Sequence, residues 1–149
     1  MSAMTADPAL DEAIALVEDQ LGVVFNRARL VWKEAADQVQ PGLPPAAYKV
    51  LAMIVRLEST NAHVLADLLD MDKSVVSRQI RVLEEGGLVE SRPDERDGRL
   101  RALSATPMAV ERVLAVRAAN QARVRAALEP RSVSELRTFA EMLRVLAEA

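Results

Sequence analysis

The sequence predicts a mainly α-helical protein with one small β-hairpin. Apolar residues recur at helical spacing over most of the chain. A capping residue followed by proline, at Asp7-Pro8 and at Thr106-Pro107, marks the start of two long helices. Residues 93–99 are charged, contain the turn formers proline and glycine, and separate two short apolar segments. This arrangement is typical of a hairpin tip.

The composition is that of one domain, or of one domain with a dimerisation extension. The chain has 149 residues, of which 50% are hydrophobic and 3% aromatic. Its core is therefore expected to consist of Leu, Val, Ile and Ala. Cysteine is absent, which excludes disulfides, thiolate catalysis and zinc–thiolate sites.

The sequence shows no secretory signal peptide and no apolar run of about 18 residues that could span a membrane. We therefore expect a soluble, cytoplasmic protein that does not interact with membranes.

The first helix is expected to follow a short polar tail, residues 1–6, which we expect to be mobile. It starts at Asp7-Pro8 and ends at the Gln40-Pro41-Gly42 segment. Its apolar residues follow a heptad repeat, formed by Leu10, Ile14, Val17, Leu21, Val24, Ala28, Val31 and Ala35. A seam of this length predicts packing against long partner helices. Leu43-Pro44-Pro45 is expected to open a second helix, which runs to about Leu57.

Residues 61–85 predict two helices joined by a short turn. Leu65, Leu68 and Leu69 give the first helix an apolar face. Asp70-Met71-Asp72 forms the turn, because Asp tolerates left-handed backbone. The second helix starts at Lys73, buries Val76, Ile80 and Leu83, and carries a polar and basic opposite face: Lys73, Ser74, Ser77, Arg78 and Arg81. This pattern is typical of a helix-turn-helix.

The helix-turn-helix is followed directly by the predicted hairpin. Gly86-Gly87 ends the second helix, and residues 88–92 and 100–104 are the expected strands. A helix-turn-helix with such a hairpin is a winged helix.

Two further helices complete the chain. One runs from Thr106-Pro107 to about Leu128, and the last begins at the capping box formed by residues 132–135. Helices at both ends carry more apolar surface than a small monomer can cover, which predicts a dimer. We therefore divide the chain into an N-terminal dimerisation helix (1–42), a winged helix-turn-helix (43–105) and C-terminal dimerisation helices (106–149).

The chain resembles the multiple-antibiotic-resistance regulator (MarR) family of bacterial transcription factors. Asp94-x-Arg96-Asp97-Gly98-Arg99 matches the wing motif of that family, and Leu83-Glu84-x-x-Gly87-Leu88-Val89 matches its junction between helix and wing. Two positions depart from the common pattern. Asp70 stands where many members have Gly, and Val75 where many have Thr, which puts the base preference at that position in question.

The resemblance implies a homodimer that binds double-stranded DNA. Two winged helices related by a two-fold axis would place their recognition helices about 34 Å apart and read a pseudo-palindromic operator. It also implies a repressor of a nearby operon, relieved by a small lipophilic or aromatic effector. Candidate effector-binding residues are Phe25, Trp32, Tyr48 and Met53; ordinary core packing is the alternative role for them.

Residues on the second helix are the candidate DNA contacts. Ser74, Val75, Ser77 and Arg78 are placed to meet base edges: Arg78 could pair with guanine and Val75 could touch a thymine methyl. Lys73, Ser77 and Arg81 suit phosphate. The alternative is a solvated basic face on a structural winged helix.

At the wing, Arg96 or Arg99 could enter the minor groove, where the negative potential attracts guanidinium groups. Alternatively, Asp94 or Asp97 could pair with one of them and make the turn rigid. We assign Arg96 to DNA, and Arg99 to both Asp94 and phosphate.

The overall charge argues mildly against nucleic acid, since the net charge is −3 and the pI about 5.3. Its distribution weakens this objection. Residues 1–26 carry five acids and no base, whereas residues 73–83 carry three bases and no acid. Screening at physiological salt limits exposed charges to a range of roughly 8 Å, so the local surface decides.

Nothing in the sequence indicates catalysis. His63 is the only histidine and is expected to be an ordinary surface residue. There is no Gly-rich phosphate loop, no nucleophile motif and no pair of acids at catalytic spacing, so we expect no enzyme, no cofactor and no metal site. A winged-helix architectural or protein-interaction module without sequence-specific readout is the alternative function.

Overall fold

The computed structural model describes residues 7–149; residues 1–6, for which a mobile tail is predicted, lie outside them. The described part of the chain contains six helices and two strands in the order α1 (Pro8–Val39), α2 (Pro45–Leu57), α3 (Ala62–Leu69), α4 (Lys73–Glu85), β1 (Val89–Pro93), β2 (Arg101–Ala105), α5 (Pro107–Leu128) and α6 (Val133–Ala147). The mainly helical fold with a two-stranded antiparallel hairpin is therefore confirmed.

Helix α1 begins as the sequence predicts. Asp7 is its N-cap and accepts a hydrogen bond from the backbone N–H of Ala9 at 3.1 Å, and proline occupies the first turn. Only the C-terminal end of the helix is buried, at Ala35, Ala36 and Val39. Half of the heptad seam is exposed in the single chain, at Leu10, Ile14, Val17 and Val24, and the protomer leaves these side chains uncovered.

Helix α2 is the centre of the core. It contacts α1, α3, α4, α5 and β2. Val50, Leu51 and Ile54 are completely buried, and Tyr48 is nearly so. The other elements of the winged helix are held in place largely by burying apolar surface against this helix.

The helix-turn-helix has the predicted geometry. The Asn61 side chain caps α3 by accepting from the N–H of Val64 at 2.9 Å. Asp70 takes the left-handed conformation (φ 50°, ψ 48°) that the turn requires. The predicted apolar face of α3 is only partly covered, however. Leu68 is 55% exposed, because α3 packs through Leu65 and Ala66 instead.

A Schellman motif ends α4. The N–H of Gly87 donates to the carbonyl of Glu84 at 3.1 Å, and the N–H of Leu88 donates to that of Leu83 at 2.9 Å. Gly87 has φ +71°, and the completely buried Leu83 and Leu88 provide the apolar contact typical of the motif. The turn therefore fixes the direction in which the chain leaves α4 for the wing.

The wing strands pair antiparallel, with Val89 opposite Ala105 and Pro93 opposite Arg101. Each strand begins one residue later than the sequence suggests. Thr60 adds an isolated bridge to β2: its N–H donates to the carbonyl of Leu103 at 3.0 Å, and its carbonyl accepts from the N–H of Leu103 at 2.7 Å. The wing is thus tied to the segment that precedes α3.

Helices α5 and α6 begin with the predicted caps. Thr106 caps α5, and Ser132 and Glu135 form a reciprocal capping box at the start of α6. Helix α5 is buried only in its first half, at Ala109, Val113 and Val116. No residue of α6 is buried, and its apolar side chains are exposed: Val133, Phe139, Met142, Leu143, Val145 and Leu146.

We predict that Gly87→Ala destabilises the fold, because a Cβ in left-handed backbone costs roughly 1–2 kcal/mol. Gly98→Ala is the matched control, since Gly98 does not have positive φ and no atom lies within 4 Å of an added Cβ. Urea unfolding of the two variants checks the prediction. Equal unfolding midpoints would contradict it.

Candidate nucleic-acid interface

The exposed face of α4 is polar and basic. Successive residues of a helix are rotated by about 100°, so Ser74, Arg78 and Arg81 lie opposite the buried stripe of Val76, Ile80 and Leu83. All three are exposed. Arg78 and Arg81 therefore lie on the outermost face of the helix, where they are accessible to a ligand as large as double-stranded DNA.

Lys73 and Ser77 lie on one flank of α4 and face the wing. Together with Arg99 and Arg101 they line a groove of about 370 Å³ between α4, the wing and the start of α3. Glu84 lies in the same groove and places a carboxylate there. The predicted phosphate-binding residues therefore fall into two groups, one on the outer face of α4 and one in this groove.

Val75 lies on the opposite flank of α4, where it is half-buried. Because Val75 lies on the flank that faces away from the wing, only part of its side chain is accessible. A thymine methyl could reach it only from that side of the helix.

The wing tip is held by backbone hydrogen bonds to carboxylates. Asp94 Oδ1 accepts from the N–H groups of Arg96 at 2.8 Å and Asp97 at 3.1 Å, and Asp97 Oδ1 accepts from the N–H of Arg99 at 3.1 Å. The hydrogen bonds to Asp94 lower the pKa of its exposed carboxyl, and the one from Arg96 has the larger effect. The positive charge of Arg96 lowers this pKa further. The turn is therefore most rigid when Asp94 is ionised.

This arrangement corrects the expected pairing of Arg99 with Asp94. The Asp94 carboxylate is bound to backbone N–H groups, and the ion pairs found within residues 7–149 include neither Arg96 nor Arg99. Arg101, by contrast, donates to both the carbonyl and the hydroxyl of Ser91, at 3.0 and 2.9 Å. The guanidinium groups at 96 and 99 therefore have no carboxylate partner in this part of the chain.

The bases of α4 are similarly free of carboxylate partners. Lys73, Arg78 and Arg81 take part in none of the ion pairs formed between described residues. Their charge is therefore available to an external anion, although the chain as a whole is acidic.

Asn61 and His63 line the groove beside the wing, and the sequence analysis assigned neither to the interface. Asn61 is the N-cap of α3, and His63 was expected to be an ordinary surface residue. The Thr60–Leu103 bridge brings both to the wing. Because Thr60 and Leu103 are far apart in the sequence, no local sequence pattern could have predicted that they pair.

A second cleft of about 410 Å³ lies on another side of α2. It is lined by Trp32, Lys49, Ala52, Met53, Arg56, Leu68, Leu69, Met71 and Arg117. The lining comes from α1, α2, α3, the turn before α4, and α5. It includes three cationic side chains and no carboxylate.

Two of the four candidate effector residues, Trp32 and Met53, line this cleft. Tyr48 is in the core with its ring edge-on to Trp32, at a centroid distance of 5.8 Å, and it borders a neighbouring cleft that also includes Arg117. Burial raises the pKa of Tyr48, and the charge of Arg117 opposes this. Phe25 does not line the cleft: it is 64% exposed and lies seven residues before Trp32, about 10 Å along α1.

Two other kinds of site are absent from residues 7–149. No three His, Asp or Glu side chains come together as metal ligands there. No helix in that range combines the length and the apolar character needed to cross a membrane.

A family model matches the part of the chain that forms this geometry. The family model described as MarR family matches residues 42–100, which include the helix-turn-helix and most of the wing. No protein in the curated set matches significantly.

Solved structures resemble the chain over most of its length. A probable transcriptional regulator from Pseudomonas aeruginosa is 26% identical, with a TM-score of 0.61 and coverage of 87% of this chain and 98% of the other. YusO from Bacillus subtilis is 25% identical, with a TM-score of 0.66 and coverage of 93% and 97%. FabT from Streptococcus pneumoniae, solved in complex with DNA, is 16% identical and shares the fold, with a TM-score of 0.79 and coverage of 91% and 95%.

The family match over the helix-turn-helix and most of the wing, and the common fold beyond it, agree with the motifs at the helix-to-wing junction and the wing tip. Residues 42–100 match the MarR family model, and the fold of the described chain is that of the winged helix-turn-helix structures that it resembles.

Proposed function

We propose that the protein is a homodimeric transcriptional regulator that binds a pseudo-palindromic operator in double-stranded DNA. The observation that carries the proposal is the exposed basic surface of α4 and the wing tip. Its residues Lys73, Arg78, Arg81, Arg96 and Arg99 are not paired with carboxylates within the described part of the chain. FabT was solved bound to DNA, and its common fold makes a similar mode of binding reasonable here.

In this proposal the outer face of α4 enters the major groove. Arg78 reads a guanine, because its guanidinium can donate two hydrogen bonds to one base edge. Ser74 and Ser77 lie near the N-terminal end of the helix and contact base edges beside it, with Val75 reaching a thymine methyl at the flank. Arg81 binds phosphate.

The wing acts next to the same site. Arg96 enters the minor groove from the hairpin tip, which the Asp94 hydrogen bonds hold in a tight turn. Lys73 and Arg99, from opposite sides of the groove beside the wing, bind a backbone phosphate between them. Glu84 in that groove repels phosphate, which would favour contacts at the end nearer Lys73.

Dimerisation would bury the apolar surfaces that the protomer leaves exposed. The seam of α1 and the whole of α6 have few contacts within the single chain. Pairing of these helices between two copies would cover both surfaces and place two winged helices on one face of DNA. This supports the division of the chain into terminal dimerisation helices (1–42 and 106–149) around the winged helix-turn-helix (43–105).

We also propose that the protein represses a nearby operon and is relieved by a small effector. The cleft beside Trp32 is lined by both α1 and the helix-turn-helix, so a ligand there would favour one arrangement of these elements over others. Its aromatic and apolar floor suits a lipophilic or aromatic compound. Lys49, Arg56 and Arg117 would favour one with a negative charge.

The first test is an anisotropy titration with the region upstream of the protein's own gene and a scrambled duplex, at two salt concentrations. Wild type should prefer the upstream region. Arg78→Ala should relax specificity by roughly 1–3 kcal/mol at one base pair, whereas Arg81→Ala should weaken all sequences alike and lower the salt slope by about 1. These two variants remove the same charge from the same face.

Equal and steeply salt-dependent binding of both duplexes by wild type would contradict sequence-specific readout. The architectural module would then be the better description. Absence of DNA binding at either salt concentration would favour the protein-interaction module.

For the dimer, we predict that Val24→Asp weakens self-association by at least about tenfold, because it buries an unpaired carboxylate from each protomer in the interface. Val24 is 58% exposed in the protomer, so its own fold should tolerate the change. Asn26→Asp, at an outward heptad position, adds the same charge and should leave the dimer intact. Analytical ultracentrifugation distinguishes the two; a Val24→Asp dimer as tight as wild type would refute the α1 interface.

For the effector, we predict that 3-phenylpropionate quenches or shifts the fluorescence of Trp32, which is the only tryptophan, and weakens binding to the upstream DNA. The uncharged 3-phenylpropanol should act more weakly. Arg117→Ala should reduce the difference between the two compounds, whereas Arg137→Ala, on α6 and outside the cleft, should not. DNA affinity that is the same with and without these probes would count against this choice of effector class.

A further inference from the structure

The C-terminal end of α4 is held by two side chains that come from other helices. The Schellman motif leaves the carbonyls of Gly86 and Gly87 free to accept hydrogen bonds. Gln40 Nε2 donates to the carbonyl of Gly86 at 3.0 Å, and Thr106 Oγ1 donates to the carbonyl of Gly87 at 3.0 Å. Gln40 is the C-cap of α1 and Thr106 is the N-cap of α5. Hydrogen bonds therefore connect the C-terminal end of α4, the recognition helix, to both α1 and α5.

The contact between Gln40 and Gly86 is close enough to explain why glycine is present at position 86. Gly86 has ordinary right-handed backbone (φ −78°, ψ −4°), so its conformation does not require glycine. A Cβ there, however, would lie 2.7 Å from Gln40 Oε1. The neighbouring Gly87 is needed for its positive φ, whereas Gly86 allows Gln40 to approach.

The Gln40 side chain is not needed to end α1. Its backbone N–H donates to the carbonyl of Ala36 at 3.1 Å, and any residue other than proline could do the same. Arg112 NH1 separately donates to the carbonyl of Val39 at 2.9 Å and joins α1 to α5. The Gln40 amide is thus the polar link, among the described side chains, that runs directly from α1 to the end of α4.

We propose that Gln40 is a positioning residue that fixes the angle of the recognition helix on α1 and so determines which half-site spacing the dimer accepts. The inference rests on the proposed DNA-binding dimer. In such a dimer, α1 carries the two-fold interface and α4 carries the readout. The distance between the two recognition helices therefore depends on the joint between α1 and α4. Without the amide, each α4 can rotate on its buried stripe while retaining its own DNA contacts.

The test uses Gln40→Met, which preserves the length of the side chain and removes the hydrogen bond. Operator duplexes carry the natural half-site spacing, or a spacing one base pair longer or shorter. Wild type should bind the natural spacing best. In Gln40→Met this preference should fall by about fivefold, the factor that corresponds to one hydrogen bond, whereas affinity for a single half-site should stay the same.

A double-mutant cycle provides the second arm. Gly86→Ala should reproduce the loss of spacing preference in the wild-type background, because the added methyl displaces the Gln40 amide. In a Gln40→Ala background, Gly86→Ala should cause no further loss. Gly98→Ala, where an added Cβ meets nothing within 4 Å, is the control.

The outcomes separate this inference from the function on which it rests. Wild type that shows no sequence preference overturns the proposed function, and the role of Gln40 with it. Wild type with a clear spacing preference that Gln40→Met retains overturns only the role of Gln40. Lower thermal stability of Gln40→Met with unchanged spacing preference would likewise make the residue merely structural.

Discussion

The structure depends first on the burial of one short helix. Helix α2 contacts four of the other helices and one wing strand. Its completely buried Val50, Leu51 and Ile54 give each of these elements an apolar surface to cover. Because α4 and the wing pack on the same core, their relative position is set by side chains that never reach the surface. Loss of volume in α2 would therefore disturb the proposed DNA-binding face of α4, which lies opposite its buried stripe.

Much of the fold could be predicted from the sequence because the starts of its helices depend on hydrogen bonds between residues that are close together in the chain. The caps at Asp7, Asn61, Thr106 and Ser132 form hydrogen bonds within a few residues of themselves, so a single sequence is enough to recognise them. Leu68 shows the limit of this approach. Helical spacing identifies the apolar side of a helix, but the neighbouring elements decide which apolar residues are covered.

The site divides in the same way. The basic residues of α4 were identified because the face of a helix follows from its period. The groove beside the wing was not anticipated. It depends on a bridge between Thr60 and Leu103, and this brings His63 next to residues of α4 and β2. The prediction that Arg99 pairs with Asp94 was wrong for a related reason. The tight turn presents backbone N–H groups to the carboxylate, and the sequence alone does not reveal this competition.

The length of α1 gives small movements a large effect. Its 32 residues extend for about 48 Å. If one end is fixed in a dimer, a tilt of only about 5° moves the other end by about 4 Å, slightly more than the rise of one base pair in B-form DNA. The helix would thus act as a lever. Trp32 lies about 36 Å along α1 from Pro8, so the same tilt moves it by about 3 Å. A ligand beside Trp32 that favours one tilt would thus move a recognition helix out of register with its half-site.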